Sequence, residues 1–169
     1  ELFFKSRTVL LTGEINDKLA NRVTTQLIAL AEDSDDPINV FISSPGGHVE
    51  SGDMVHDMIK FIRPTVRCVG SGGVASAGAT IFVAAKKENR FCLPNTRFLL
   101  HEPRGGVGGQ VTDIQIQAQQ IEIMRARYHK IFADATGQTA KKIAADTGRD
   151  FWLTTSEALD YGLLGKVIS

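Results

Sequence analysis

Cysteine is scarce in this chain. Cys68 and Cys92 are the only two among 169 residues; they form no C-x-x-C pair, and both sit in apolar strand-like runs. Thiols in that setting are reduced packing residues more often than bridge or metal partners, so no disulfide framework is expected. An excess of charge is equally missing, since 19 basic and 19 acidic side chains give a formal net charge of zero. Without a global field, neither nucleic acid nor an anionic membrane is expected as a partner. No apolar run approaches the roughly 20 residues of a spanning helix. Glu1-Leu2-Phe3-Phe4 has neither a basic start nor a small-residue cleavage site, and a soluble, cytoplasmic protein is the expectation. There is no G-x-x-x-x-G-K-S/T phosphate loop, no H-E-x-x-H and no Cys/His cluster. Nucleotide hydrolysis, metal chemistry and a bound cofactor therefore have no candidate site. No repeat, low-complexity tract or linker divides the chain, and its length suits one domain over residues 1–169.

What is present is alternation. Thr8 to Thr12 reads as a strand, and Leu19, Val23, Leu27, Ile28 and Leu30 recur at helical spacing up to the turn Asp33-Ser34-Asp35-Asp36-Pro37. Ile38 to Ile42 is a continuous apolar strand, and Val55, Met58, Ile59 and Ile62 mark a helix that must stop before Pro64. Further strands are expected at Val66 to Val69, Arg90 to Leu93 and Arg97 to Leu100. Ile114, Ala118, Ile121, Met124, Tyr128 and Ile131 describe a helix of about six turns between Thr112 and Thr136, longer than usual and so expected to project. Thr154-Thr155-Ser156-Glu157 is a capping box for a last helix ended by Gly162, before a closing Val167-Ile168. Strands interleaved with helices specify an α/β fold rather than a bundle or a sandwich.

Three residues occupy frames that suit a nucleophile, a base and an orienter. Ser76 lies in Gly72-Gly73-Val74-Ala75-Ser76-Ala77-Gly78, where a strand-like run passes into an apolar helix from Ala79 to Ala85. Free N–H groups and the positive end of a helix stabilise an alkoxide there, although a small residue also suits helix–strand packing. His101 ends the run Arg97-Phe98-Leu99-Leu100 and enters the loop Glu102-Pro103-Arg104-Gly105-Gly106, a usual setting for a reactive side chain, or for an imidazole bonded to backbone. Asp150 precedes the apolar Phe151-Trp152, which is expected to bury its carboxylate; its other reading is a turn aspartate paired with Arg149. His48, His56 and His129 are weaker candidates, with solvated or partly packed roles sufficient for them. Ser44-Pro45-Gly46-Gly47 follows a buried strand, and its glycines free backbone N–H groups for a cleft. Donors from Gly47 and Ala77 would complete an oxyanion hole.

Ser-Pro-Gly-Gly, Ala-Ser-Ala-Gly-Ala, His101-Glu102-Pro103 and Asp146-Thr147-Gly148-Arg149-Asp150 fall in the order and spacing of one family. The chain closely resembles the Clp protease proteolytic subunit, from Leu11-Thr12-Gly13-Glu14-Ile15 through to Glu157-Ala158-Leu159-Asp160-Tyr161-Gly162-Leu163. The resemblance implies Ser76 as nucleophile, His101 as base, Asp150 as orienter, and the Gly47 and Ala77 amides as the oxyanion hole. It implies a crotonase-like ββα superhelix with a projecting handle (about residues 102–136), and heptameric rings stacked into a tetradecamer around a chamber. Gly46, Gly105 and Gly106 would bind extended unfolded polypeptide by strand addition. Phe41, Phe61 and Phe91 would receive a separate AAA+ unfoldase, an ATPase that serves protein quality control with this serine endopeptidase. Arg149 and Asp113 would form contacts between subunits.

Some positions depart from that family. Ala77 stands where relatives usually carry Met, Asn39 and His56 where Tyr is frequent, and Phe151 where a polar residue is frequent. Cleavage preference and unfoldase docking are the properties these departures touch. They point to a divergent paralogue able to work in a mixed ring with a paralogous subunit. Two rival readings follow: a ring scaffold that positions an active partner, and acyl-CoA chemistry on the same fold.

Overall fold

A computed structural model describes residues 2–169 of the chain. After one exposed turn, α1 (Leu2–Lys5), come β1 (Thr8–Thr12), α2 (Asp17–Asp33), β2 (Ile38–Ser44), α3 (Val49–Phe61), β3 (Val66–Ala75) and α4 (Ala77–Phe82). A 3-10 turn then leads to β4 (Arg90–Cys92), β5 (Arg97–Leu100), α5 (Val111–Thr136), α6 (Ala140–Thr147), β6 (Phe151–Leu153), α7 (Thr155–Tyr161) and β7 (Lys166–Val167). This is the α/β layering with a projecting helix that the sequence predicts.

The sheet runs β1-β2-β3-β4-β7, all parallel, and forks at β3. Cys68 to Gly70 pair with β4, whereas Gly73 to Ala75 pair with β5, on whose far side β6 lies antiparallel. The sequence predicts that this strand ends at Val69. It continues through Gly70 to Ala75 because β2 on one side and β5 on the other supply ladder partners, which outweighs glycine's poor strand propensity. The fork carries the end of β3 out of the main sheet and delivers the next residue, Ser76, to a cleft.

Local signals set the helix ends. Asn16 Oδ1 accepts from Leu19 N at 2.9 Å at the start of α2. Arg7, itself at φ 51°, donates to the carbonyls of Leu30, Ser34 and Asp36 and so caps the other end. The predicted capping box of α7 forms between Thr154 and Glu157, and Gly162 ends the helix at φ 87°. Helix α5 has 26 residues, about 39 Å by its rise. It buries only Tyr128, Phe132 and Thr136, so its first half, with Val111, Ile116 and Ile123 exposed, leaves the core. Cys68 and Cys92 are buried free thiols, as expected, and burial pushes the Cys68 thiol up to about 12. His56 is buried as well, beyond the partly packed role predicted for it, because it falls among the buried residues of α3 with Val55 and Ile59; desolvation lowers its pKa. Helix α6 and strand β6 are elements that the pattern alone does not reveal, being only eight and three residues long.

Arg90 is a buried cation that joins the C-terminal elements to the sheet. Its guanidinium donates to Leu163 O at 3.0 Å and Ala135 O at 2.8 Å, the latter at the negative end of α5. Arg90→Met should lower stability by about 2–4 kcal/mol, because both carbonyls lose their donor. Denaturant unfolding measures this, and a loss below about 0.5 kcal/mol would show that water replaces the guanidinium.

Candidate active site

The centre of the site is the junction of β3 and α4. Ser76 adopts φ 55° and ψ −123°, a conformation that a side chain bearing a Cβ rarely takes and that costs on the order of 1–3 kcal/mol. Its N–H donates to Leu99 O at 2.9 Å, while its own carbonyl accepts from Ala79 and Thr80 in the first turn of α4. The backbone is thus held on both sides of the strained residue. The Ser76 hydroxyl has no hydrogen-bond partner among the described residues.

The loop after β2 closes on this serine. Gly46 has φ +96°, and a Cβ placed there would stand 2.5 Å from Ser76 Cβ and 3.0 Å from its Oγ. Only glycine permits that approach. Ile15 holds the loop in place: its N–H donates to Gly46 O at 2.9 Å, and its carbonyl accepts from His48 N at 2.8 Å. Behind the loop, Ser51 Oγ donates to Asp17 Oδ1 at 2.6 Å and lies 2.8 Å from His48 Nδ1, tying α3 to α2. The N–H groups of Gly47 and Ala77 donate to no other group among the described residues. Ala77 directly follows the strained serine and Gly47 follows the glycine that touches it, and both N–H groups are available for an acceptor.

His101 reaches the same cleft from the end of β5. Ser76, Ala77 and His101 line one pocket, together with Asp53, Arg127 and Tyr128. His101 Nδ1–H donates to the Glu102 carbonyl at 2.8 Å, which leaves the Nε2 lone pair free. Glu102 is itself clamped: its N–H donates to Thr147 O at 3.0 Å, and its carboxylate accepts from His129 Nε2 at 2.7 Å. The buried Tyr128 hydroxyl is near the His101 backbone without meeting hydrogen-bond geometry, and burial pushes its phenol pKa up.

Asp150 departs from the sequence reading. Its side chain is 47 % exposed and forms an ion pair with Arg104, instead of being buried or paired with Arg149. The reason is local: β6 is a three-residue antiparallel addition to β5, so the residue just before it lies at the margin of the sheet and faces water. The Asp150 carboxylate makes no hydrogen bond to His101, whose Nδ1 is already engaged by Glu102. The structure brings Ser76 and His101 together and keeps Asp150 apart.

The remaining sequence candidates lie elsewhere. Gly105 and Gly106 are exposed, belong to no strand and make no backbone hydrogen bond among the described residues. Phe41 and Phe91 share one register row of the sheet through Val69, while Phe61 stands at the end of α3 with 83 % of its surface exposed. Arg149 and Asp113 are exposed, with no ion-pair partner among the described residues. Glu102, Arg104, Asp53 and Arg127 escape a reading of the sequence. Their partners lie 27 to 74 residues away, and nothing local signals the pairing.

Comparison with known proteins decides the family. The Clp protease family model matches residues 1–169. The chain belongs to the Clp protease family. It is 68 % identical over 160 residues to the ATP-dependent Clp protease proteolytic subunit of Paracoccus denitrificans, covering 95 % of this chain and 80 % of that one. It is 56 % identical over 168 residues to proteolytic subunit 2 of Pseudomonas aeruginosa, covering 99 % and 84 %. Among solved structures, a mutant of ClpP1 from Listeria monocytogenes is similar with a TM-score of 0.94 and 53 % identity, covering 99 % of this chain and 94 % of that one. The fold is therefore that of the family.

Two outcomes test the Clp site. Gly46→Ala should slow fluorophosphonate labelling of Ser76 by at least about 100-fold, because a small displacement of the reacting group is costly; normal labelling would mean the loop yields. An exposed ion pair is worth about 0–1 kcal/mol. Arg104→Gln should therefore raise peptide turnover by up to about fivefold if Arg104 competes for Asp150, and unchanged turnover would rule that competition out.

Proposed function

We propose that this Clp subunit is a serine-type endopeptidase acting on unfolded polypeptide. The observation that carries the reading is the strained Ser76, set against Gly46 and sharing a pocket with His101. An inert scaffold has no use for such strain, which disfavours a ring subunit that only positions an active partner. Acyl-CoA chemistry is set aside by membership of a protease family.

In the proposed reaction His101 Nε2 takes the Ser76 proton, and Oγ attacks a peptide carbonyl. The oxyanion accepts hydrogen bonds from Gly47 N–H and Ala77 N–H, each worth roughly 10²–10³ in rate. The imidazolium then gives its proton to the leaving amine, and water activated by His101 hydrolyses the acyl-enzyme. Asp150 serves as orienter once its carboxylate leaves Arg104 for His101 Nδ1, displacing the Glu102 carbonyl. Gly105 and Gly106, with their unpaired backbone, accept the substrate as an added strand.

The further elements of the proposal are a cytoplasmic setting and one domain over residues 1–169 that assembles into heptameric rings stacked as a tetradecamer. The exposed apolar face in the first half of α5 supports the stacking, and Arg149 and Asp113 are offered as contacts between subunits. An AAA+ unfoldase docks on Phe41, Phe61 and Phe91. Relatives numbered as subunits 2 and 3 support a mixed ring with a paralogous subunit.

Ser76→Ala in the assembled protein should cost about 10⁵–10⁶ in kcat and remove fluorophosphonate labelling altogether. Peptide turnover that survives the substitution would end the serine-protease reading.

A further inference from the structure

The pocket beside Ser76 is apolar at its walls, through Ala77, Met124 and Ile131, but it also contains an ion pair. Asp53 on α3 accepts from the Arg127 guanidinium on α5, so two helices remote in sequence meet beside the reacting hydroxyl. That single bond uses Oδ2 of Asp53 and one terminal nitrogen of Arg127, and neither side chain has another hydrogen-bond partner among the described residues. Asp53 Oδ1 and the remaining guanidinium N–H groups are therefore a free acceptor beside free donors. Asp53 has only 20 % of its side chain exposed, and burial raises its pKa against the opposing pull of Arg127.

Different substrate side chains would meet this pair differently. A cation is attracted by Asp53 and repelled by Arg127, an anion the reverse, so neither gains against a pair that is close to neutral. An aliphatic side chain strips water from both groups and offers nothing in return. A primary amide presents an N–H to the carboxylate and a carbonyl to the guanidinium, and its methylene stem suits the apolar walls. The geometry points to Asp53 and Arg127 as specificity-determining residues that select asparagine or glutamine on the acyl side of the cleaved bond. Ala77, a small residue, lines the same pocket. The inference rests on the serine-protease reading and names the substrate class of that same site.

The test uses the full-length assembled protein and fluorogenic peptides that differ only in the residue on the acyl side of the bond: Gln, Asn, Leu, Met, Lys or Glu. The expected result is a kcat/KM for Gln or Asn at least about tenfold above that for Leu or Met, since sites built to hydrogen-bond a substrate group reject analogues that lack it. The double variant Asp53→Leu, Arg127→Met removes the pair as a unit and leaves no unpaired charge, so it should reverse the order. A wild-type protein that is labelled at Ser76 and cleaves best after Leu or Met overturns the inference and leaves the protease reading standing. A double variant with the mass and melting temperature of wild type that keeps the amide preference overturns the assignment to this pair. Should the double variant fail to assemble, the wild-type profile alone decides. A protein neither labelled nor active on any peptide overturns the protease reading, and the inference with it.

Discussion

The site depends on one contact, the seating of Gly46 against Ser76. Ser76, the residue after β3, is forced into a conformation that residues with a Cβ avoid, and what holds it there is backbone: Leu99 O on one side, the first turn of α4 on the other. Because Gly46 has no side chain, the loop after β2 packs directly against Ser76 at the end of β3, and the N–H groups of Gly47 and Ala77 remain free. A substituent of a single carbon at Gly46 would separate these parts.

The fork in the sheet serves the same end. Early in its course β3 belongs to the core, between β2 and β4; later it exchanges β4 for β5 and carries the serine outward. Strand β5 ends just before His101, so the two strands that pair beyond the fork also deliver the two groups that share the cleft. Helix α5 then borders the site with its second half, contributing Arg127 and Tyr128 to the pocket, and sends its exposed first half away from the core. One long helix links the surroundings of the cleft to an exposed apolar face.

In the single chain, two hydrogen-bonding arrangements keep His101 and Asp150 apart: Nδ1 of the imidazole is held by Glu102, and the carboxylate is held by Arg104. Both involve residues of the loop after β5, and Glu102 is in turn bound to His129 on α5. Movement of that helix therefore has a direct mechanical route to the histidine. The ion pair at Asp150 is exposed, and a contact of that kind is cheap to exchange.

The sequence by itself determined whatever is written in short-range pattern. Apolar spacing marked α2 and the strand of β2, the Thr154 to Glu157 box and Gly162 marked both ends of α7, and the family motifs marked Ser76, His101 and the paired glycines. Each of these is a property of a few neighbouring residues. Only the tertiary structure decided that β3 runs on through its glycines, that Asp150 faces water beside Arg104, and that Asp53 meets Arg127 in the pocket. The first is set by the neighbouring strands β2 and β5, and the other two by partners 46 and 74 positions away and by how far each carboxylate is removed from solvent. Pairing energy and desolvation are fixed by what surrounds a group in space, and a linear pattern carries no record of that.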